Sequence, residues 1–153
     1  MKYFVLLSDI FHFLLAQMVY SQPNNFFTTT PHFGVVGQSR VGVSRSLADD
    51  IANLVGLTDK EMAYILGMTP RNLHRLTPQQ NFSRDASERL LLLKNILLHA
   101  LETFEGQAVV VLQWLRTPLR ELENQSPVQL MDTVTGFGLV NDVLGRLDYG
   151  LPA

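Results

Sequence analysis

The hydrophobic residues of this chain recur mostly at helical spacing. After residue 40, the first apolar stripe falls at i, i+4, i+7 and i+8, and Gly56 closes the helix that carries it. No later segment keeps the period of two that is typical of a strand. The pattern therefore predicts an all-α fold. The first stripe consists of Leu47, Ile51, Leu54 and Val55.

Capping signals predict where the next helices begin. The sequence "TDKE" at 58–61 matches a capping box, in which the Thr58 hydroxyl caps the helix and the Glu61 carboxylate accepts a hydrogen bond from the Thr58 amide. This short helix is predicted to end at Gly67, and "TP" at 69–70 is predicted to open another.

The second half of the chain is predicted to hold one long helix and three shorter ones. Ser83 is the expected cap of a helix that reaches about Phe104 and has leucines on two faces, so both faces should be buried. A further apolar helix covers about 107–115, and "SP" at 126–127 begins a short one. The stripe of the last helix is Phe137, Val140, Val143, Leu144 and Leu147.

The first forty residues do not continue this pattern. Between residues 3 and 20, fourteen of eighteen residues are apolar, which fits either a packing helix or a secretory signal. Asp9 and His12 interrupt the run and argue against a membrane span, since a carboxylate at mid-bilayer costs roughly 2.5–3.5 kcal/mol. Residues 21–40 show no helical period and are predicted to be a linker or a loosely packed extension.

The stretch "TDKEMAYILGMTPRNLHRL" has the spacing of a helix-turn-helix. Ala63 is the small residue where two helices cross, Gly67 suits a turn with positive φ, and Leu73 meets the core. The second helix then presents polar residues to a groove, where arginine suits guanine edges or phosphates and asparagine suits adenine. The alternative is a plain helical hairpin. The candidate DNA-binding residues are Thr69, Arg71, Asn72, His74 and Arg75.

Charge is distributed unevenly along a chain of globular composition. The 153 residues are 46% hydrophobic and 17% charged. Residues 40–94 hold eight basic and six acidic side chains, whereas residues 95–153 hold three and seven, so the two regions should attract different partners. Two arginines on one short helix imply weak DNA binding by a monomer, so a dimer is expected. The absence of cysteine excludes disulfides and fits a reducing cytoplasm.

No motif indicates catalysis or metal binding. The four histidines lie far apart, and the sequence has no Gly-rich phosphate loop and no H-E-x-x-H. His99 is expected to be a partly buried helix residue. No catalytic residue, metal or cofactor is therefore predicted.

The last quarter of the chain resembles a known family. Residues 114–150, "WLRTPLRELENQSPVQLMDTVTGFGLVNDVLGRLDYG", are similar to the C-terminal toxin-binding domain of the Xre/MbcA/ParS antitoxins. The likeness extends upstream to Leu47 through "LVGLTDKEMAYILGMTPRNLHRL" and "FSRDASERLLLL". The matching positions in the C-terminal part are Trp114, Leu115, Pro118, Leu122, Ser126, Pro127, Leu130, Met131, Asp132, Thr133, Gly136, Leu144, Gly145, Arg146, Leu147, Asp148, Tyr149 and Gly150.

The resemblance implies a type II toxin–antitoxin system. It implies a homodimeric, cytoplasmic antitoxin that neutralises an NAD⁺-degrading RES-domain toxin by blocking its active site with the C-terminal segment, and that represses its own operon by binding operator DNA. It implies no membrane association and no small-molecule substrate. We therefore expect an N-terminal extension over residues 1–40, an Xre-like helix-turn-helix region over 41–82, and a helical dimerisation and toxin-binding domain over 83–153.

Within that resemblance, the end of the chain is the predicted toxin contact. A pocket for NAD⁺ holds an aromatic base and anionic phosphates; Asp148 offers an anion, Tyr149 an aromatic ring and Gly150 a bend. Alternatively, Arg146 pairs with Asp142, and the tail folds back on the core of the antitoxin. The candidate toxin-binding residues are Arg146, Asp148, Tyr149, Gly150 and Leu151.

Other residues of the signature are expected to be architectural. Trp114 and Pro118 should support the core, and Asp132 with Thr133 should cap the helix that starts near Gly136.

Two other functions compete with the antitoxin. One is a stand-alone helix-turn-helix transcription regulator whose C-terminal half only dimerises. The other is a secreted helical protein with an incidental turn motif.

Overall fold

The regular elements of this protein are helices. The computed structural model describes residues 29–150, and in this range extended backbone is paired only at two isolated β-bridges, Ser44 with Asn81 and Leu119 with Gln125. The all-α prediction is confirmed. The helices are α1 (His32–Val41), α2 (Arg45–Val55), α3 (Asp59–Leu66), α4 (Pro70–Arg75), α5 (Arg84–Thr103), α6 (Ala108–Arg116), α7 (Pro127–Leu130) and α8 (Val134–Asp148), with a 3-10 turn at Arg120–Leu122 before α7.

Helix α5 lies at the centre of the molecule. Ser83 caps it as predicted, accepting a hydrogen bond from the Ala86 amide. Leu90, Leu93 and Leu97 form a stripe along α5 and are buried. Leu91, which lies off that stripe, is buried as well. Helices α1, α2, α3, α6 and α8 all pack against α5. The predicted burial of a second face is confirmed in part, because Leu92 and Leu98, which also lie off that stripe, are only partly buried.

Helix α1 corrects the expectation for residues 21–40. Residues 32–41 are helical, and Val35 is buried. Asn95 on α5 fixes the entry to α1, because its Oδ1 accepts the Thr30 N–H at 2.7 Å and its Nδ2 donates to the Thr30 carbonyl at 2.8 Å. Glycines and β-branched residues give α1 little helix propensity, so packing against α5 stabilises it. The expected packing helix or signal within residues 3–20 lies outside the described residues.

The corner between α7 and α8 requires glycine at position 136. Thr133 is the N-cap of α8, and its hydroxyl accepts the Gly136 amide at 3.0 Å. The predicted capping role therefore belongs to Thr133, whose hydroxyl accepts this N–H. A Cβ at Gly136 would overlap the backbone carbonyl of Leu130. The chain passes so close to itself here that any side chain would force the corner apart.

We predict that Gly136→Ala lowers the free energy of unfolding by about 2–4 kcal/mol or prevents folding, because backbone must move to admit the methyl group. Gly138→Ala is the matched control, since Gly138 lies in the same helix and an added Cβ there meets no atom within 4 Å. The control should raise stability by up to about 1 kcal/mol, as expected for alanine in a helix. Urea denaturation followed by circular dichroism measures both, and equal stabilities would contradict this account of the corner.

Candidate DNA-binding and toxin-binding sites

Helices α3 and α4 form the helix-turn-helix that the spacing predicts. Ala63 is completely buried, Leu73 is 1% exposed, and Gly67 ends α3 with a φ of 70°. The Thr58–Glu61 capping box is present, and Thr69 caps α4 with Pro70 in its first turn. Each position therefore has the role that its residue type indicated.

All five candidate DNA-binding residues are exposed on or beside α4. Leu73 is the one buried residue of this helix. The Thr69 hydroxyl accepts a hydrogen bond from the backbone N–H of Asn72 at 3.2 Å, so this backbone N–H already has a partner. His74 Nε2 lies 3.3 Å from an Asp59 carboxylate oxygen, with both side chains more than half exposed. Arg71, Asn72 and Arg75 are exposed as well. The arrangement presents a short polar face with two guanidinium groups.

Arg45 supports α4 from behind, a role that the sequence reasoning missed. Its guanidinium donates to the carbonyl oxygens of Leu73 at 2.8 Å and Leu76 at 3.1 Å, where α4 ends. Asp49, one turn along α2, holds the same guanidinium at 2.9 Å. Arg45 thereby satisfies carbonyl groups that a helix end leaves without partners. The i,i+4 spacing of Arg45 and Asp49 was the available signal, but it does not reveal the contact with α4.

Besides apolar packing, two polar side-chain contacts join the helix-turn-helix to the C-terminal half. Arg116 at the end of α6 makes a bidentate ion pair with Glu61, with N–O distances of 2.7 and 2.8 Å. The Tyr64 hydroxyl donates to the Gln129 carbonyl at 2.9 Å. The hydrogen bond from Arg116 lowers the pKa of Glu61 from 4.5 to about 2, against the opposing effect of burial. Glu61 therefore caps α3 and links the two halves at once.

The end of α8 is fastened to α5 through four side chains. Asp148 Oδ2 lies 2.7 Å from His99 Nε2, and Asp148 Oδ1 accepts from the Thr103 hydroxyl at 2.7 Å. His99 Nδ1 lies 3.1 Å from Asn141 Oδ1. We call His99, Thr103, Asn141 and Asp148 the C-terminal tether. His99 is partly buried, as predicted, with 25% of its side chain exposed.

The tether changes the pKa of both charged partners. Burial lowers the pKa of His99, but its hydrogen bonds with Asp148 and Asn141 and the charges of Asp148 and Glu102 outweigh burial and raise it overall. The hydrogen bonds from His99 and Thr103 lower the pKa of Asp148. Each partner therefore stabilises the charged form of the other.

The remaining toxin-contact candidates differ from Asp148 in their surroundings. The Tyr149 side chain is 85% exposed, and Arg146 is exposed without an ion pair to Asp142 in the described part of the chain. Gly150 has a φ of 67° and donates its N–H to the Leu147 carbonyl at 2.9 Å. Tyr149 therefore does not fold back on the core. Leu151 lies outside the described residues.

Within residues 29–150, no cluster of histidine and acidic side chains has an arrangement that could hold a metal ion. In the same range, no helix is sufficiently long and apolar to cross a membrane.

Residues 29–150 therefore form a helix-turn-helix joined to a small helical domain in which the end of α8 is exposed. Residues 99–150 match the family model of the antitoxin Xre/MbcA/ParS C-terminal toxin-binding domain. Residues 35–93 match the family model of the antitoxin Xre-like helix-turn-helix domain. The chain belongs to the Xre/MbcA/ParS-type antitoxins. The second match begins before residue 41, where the sequence alone placed the start of this region.

Two curated relatives carry the name antitoxin Xre. The protein from Yersinia enterocolitica serotype O:8 / biotype 1B is 29% identical over 118 residues, which span 76% of this chain and 80% of the relative. The protein from Photorhabdus laumondii subsp. laumondii is 25% identical over 122 residues, spanning 79% and 81%. These alignments cover most of both proteins.

We predict that Glu61→Gln lowers the free energy of unfolding at pH 6 by about 1–2 kcal/mol, because a charged bidentate pair is lost. Since the folded pKa of Glu61 lies below its unfolded value of 4.5, this contribution is complete above pH 4.5 and is lost as the pH falls towards about 2. The difference between wild type and variant should therefore be smaller at pH 3 than at pH 6. Urea denaturation at both pH values tests this, and a constant difference would contradict it.

Proposed function

We propose that this antitoxin neutralises a RES-domain toxin that degrades NAD⁺, by inserting its C-terminal segment into the active site of the toxin. The observation that carries the proposal is the exposed end of α8, within the domain that matches the toxin-binding family model. Tyr149 is 85% exposed, so its ring is available for contact with a partner.

The shape and charge of this end support the same partner. Gly150 has a positive φ that most residues avoid, so the backbone leaves the helical conformation directly after Tyr149. A pocket for a dinucleotide accepts a flat ring and is lined by groups that bind anions. Residues 95–153 carry a net charge of −4, which favours approach to such a pocket. Arg146, Tyr149, Gly150 and Leu151 are the proposed direct contacts.

Asp148 differs from these contacts, because both of its carboxylate oxygens already accept hydrogen bonds within the chain. Direct contact between Asp148 and a toxin stays a prediction.

We further propose that the antitoxin represses its own operon as a homodimer. The exposed face of α4 offers Arg71 and Arg75 for guanine edges or phosphates and Asn72 for adenine. One such six-residue helix makes few contacts, so two copies on two half-sites are needed for tight binding.

We predict that a chain ending at Asp148 loses neutralisation of the toxin but keeps operator binding. This truncation removes Tyr149 and the residues after it while it preserves the tether. Co-expression with the RES-domain toxin of the adjacent gene, with growth and cellular NAD⁺ as readouts, measures neutralisation. A mobility shift on promoter DNA measures the second activity. Growth equal to that with the full chain would sink the proposed role of the segment.

The matched variant is Arg71→Ala with Arg75→Ala, which should show the reverse pattern. We expect operator affinity to fall at least about tenfold and its salt dependence to weaken, because two contacts to DNA are removed. Neutralisation of the toxin should stay intact. If promoter DNA binds normally and no toxin is captured by the full chain, the protein acts as a stand-alone regulator.

A further inference from the structure

We propose that His99, Thr103 and Asn141 are positioning residues that set the direction in which the C-terminal segment leaves α8. In this proposal, Asp148 is the residue of α8 that they hold, and it is not a ligand of the toxin. This inference rests on the proposed function and assigns a role to residues outside its direct contacts. The tether of these three residues with Asp148 ends one residue before Tyr149.

The location of the tether gives it this leverage. The last turn of a helix frays unless something holds it, and fraying at α8 would let the following residues point in many directions. Asp148 is the final residue of α8, and Thr103 is the final residue of α5, so the two helix ends are joined where each would otherwise loosen. Tyr149 follows directly from this fixed point.

A fixed end favours binding because the freedom of the segment is already reduced before the partner arrives. A segment that is ordered only upon binding loses conformational entropy at that moment, and the affinity falls accordingly. Gly150 makes this effect large, since a glycine has more backbone freedom than any other residue. In the proposal, the tether confines the chain up to Asp148, so the entropy lost on binding is reduced.

The hydrogen bonds also argue against Asp148 as a free anion for the toxin. Each carboxylate oxygen has a partner at 2.7 Å, and the Thr103 hydroxyl shares its single hydrogen with the His99 carbonyl at 3.0 Å. Both ring nitrogens of His99 face oxygen atoms, an arrangement in which the protonated ring can donate to both. A toxin group that approaches Asp148 would therefore meet a carboxylate that already accepts hydrogen bonds within the chain.

The protonation of His99 makes the tether sensitive to pH. In the described part of the chain, the charged groups that act on the ring are Asp148 from α8 and Glu102 from α5 itself. Since the pKa of His99 is raised by folding, the tether is complete below pH 6.5 and weakens as the pH rises through the raised value. Loss of the proton leaves one of the two ring hydrogen bonds without its donor.

The test compares Thr103→Val and His99→Gln with the control His32→Gln, which changes an exposed histidine on α1. Titration against a catalytically inactive RES-domain toxin from the adjacent gene measures affinity from pH 6 to 8.5. The heteronuclear NOE of the Tyr149 and Gly150 amides measures order in the free antitoxin. We expect both tether variants to bind about tenfold more weakly at pH 6 and to show a lower NOE, since about one residue is released. The control should match the wild type.

The pH profile separates positioning from general stability. The affinity of the wild type for the toxin should fall as the pH rises. The affinity of His99→Gln should change less over the same pH range, because glutamine has no group that titrates. Circular dichroism establishes that the variants are folded.

The outcomes distinguish this inference from the proposed function. Unchanged affinity and NOE in both tether variants would overturn the positioning role and leave the toxin contact standing. If Asp148→Asn weakens binding while Thr103→Val and His99→Gln bind as tightly as the wild type, Asp148 is a direct ligand and the inference is wrong. If even the wild type fails to bind the toxin, the proposed function falls, and the positioning role falls with it.

Discussion

The burial of α5 is the constraint on which the rest of the structure depends. This helix is twenty residues long and has buried leucines on more than one face, so no single neighbour can cover it. The helix-turn-helix contributes α3 to this task, the C-terminal domain contributes α8, and α1 covers part of the remainder. Because the hydrophobic effect favours burying all of these faces together, the two functional halves share one core instead of folding separately.

Polar contacts then determine how the halves are oriented on that core. Glu61 and Arg116 form a bidentate ion pair, and a planar guanidinium fixes an angle as well as a distance. The Tyr64 hydroxyl adds a second point of attachment at α7. Helix α4 and the end of α8 are thereby attached to one shared core, without a linker between them.

The tether extends the same logic to the end of the chain. An exposed aromatic ring on a free terminus is a poor ligand when it must be ordered at the moment of binding. In the proposed positioning role, the contact between Asp148 and His99 reduces that disadvantage by holding the last turn of α8 against α5. Apolar packing therefore organises the centre of the molecule, while polar side-chain contacts hold the ends of its helices.

The sequence by itself determined the local features of this protein. The capping box at Thr58, the glycine turn at Gly67 and the apolar stripe of α8 were readable because each depends on neighbours within one or two helical turns. Only the tertiary structure decided that residues 32–41 are helical, that Arg45 caps α4 and that His99 holds Asp148. Arg45 and Leu73 on α4 are 28 positions apart in the sequence, and His99 and Asp148 are 49 positions apart. Periodicity and propensity describe one element at a time, so they carry no information on which elements meet.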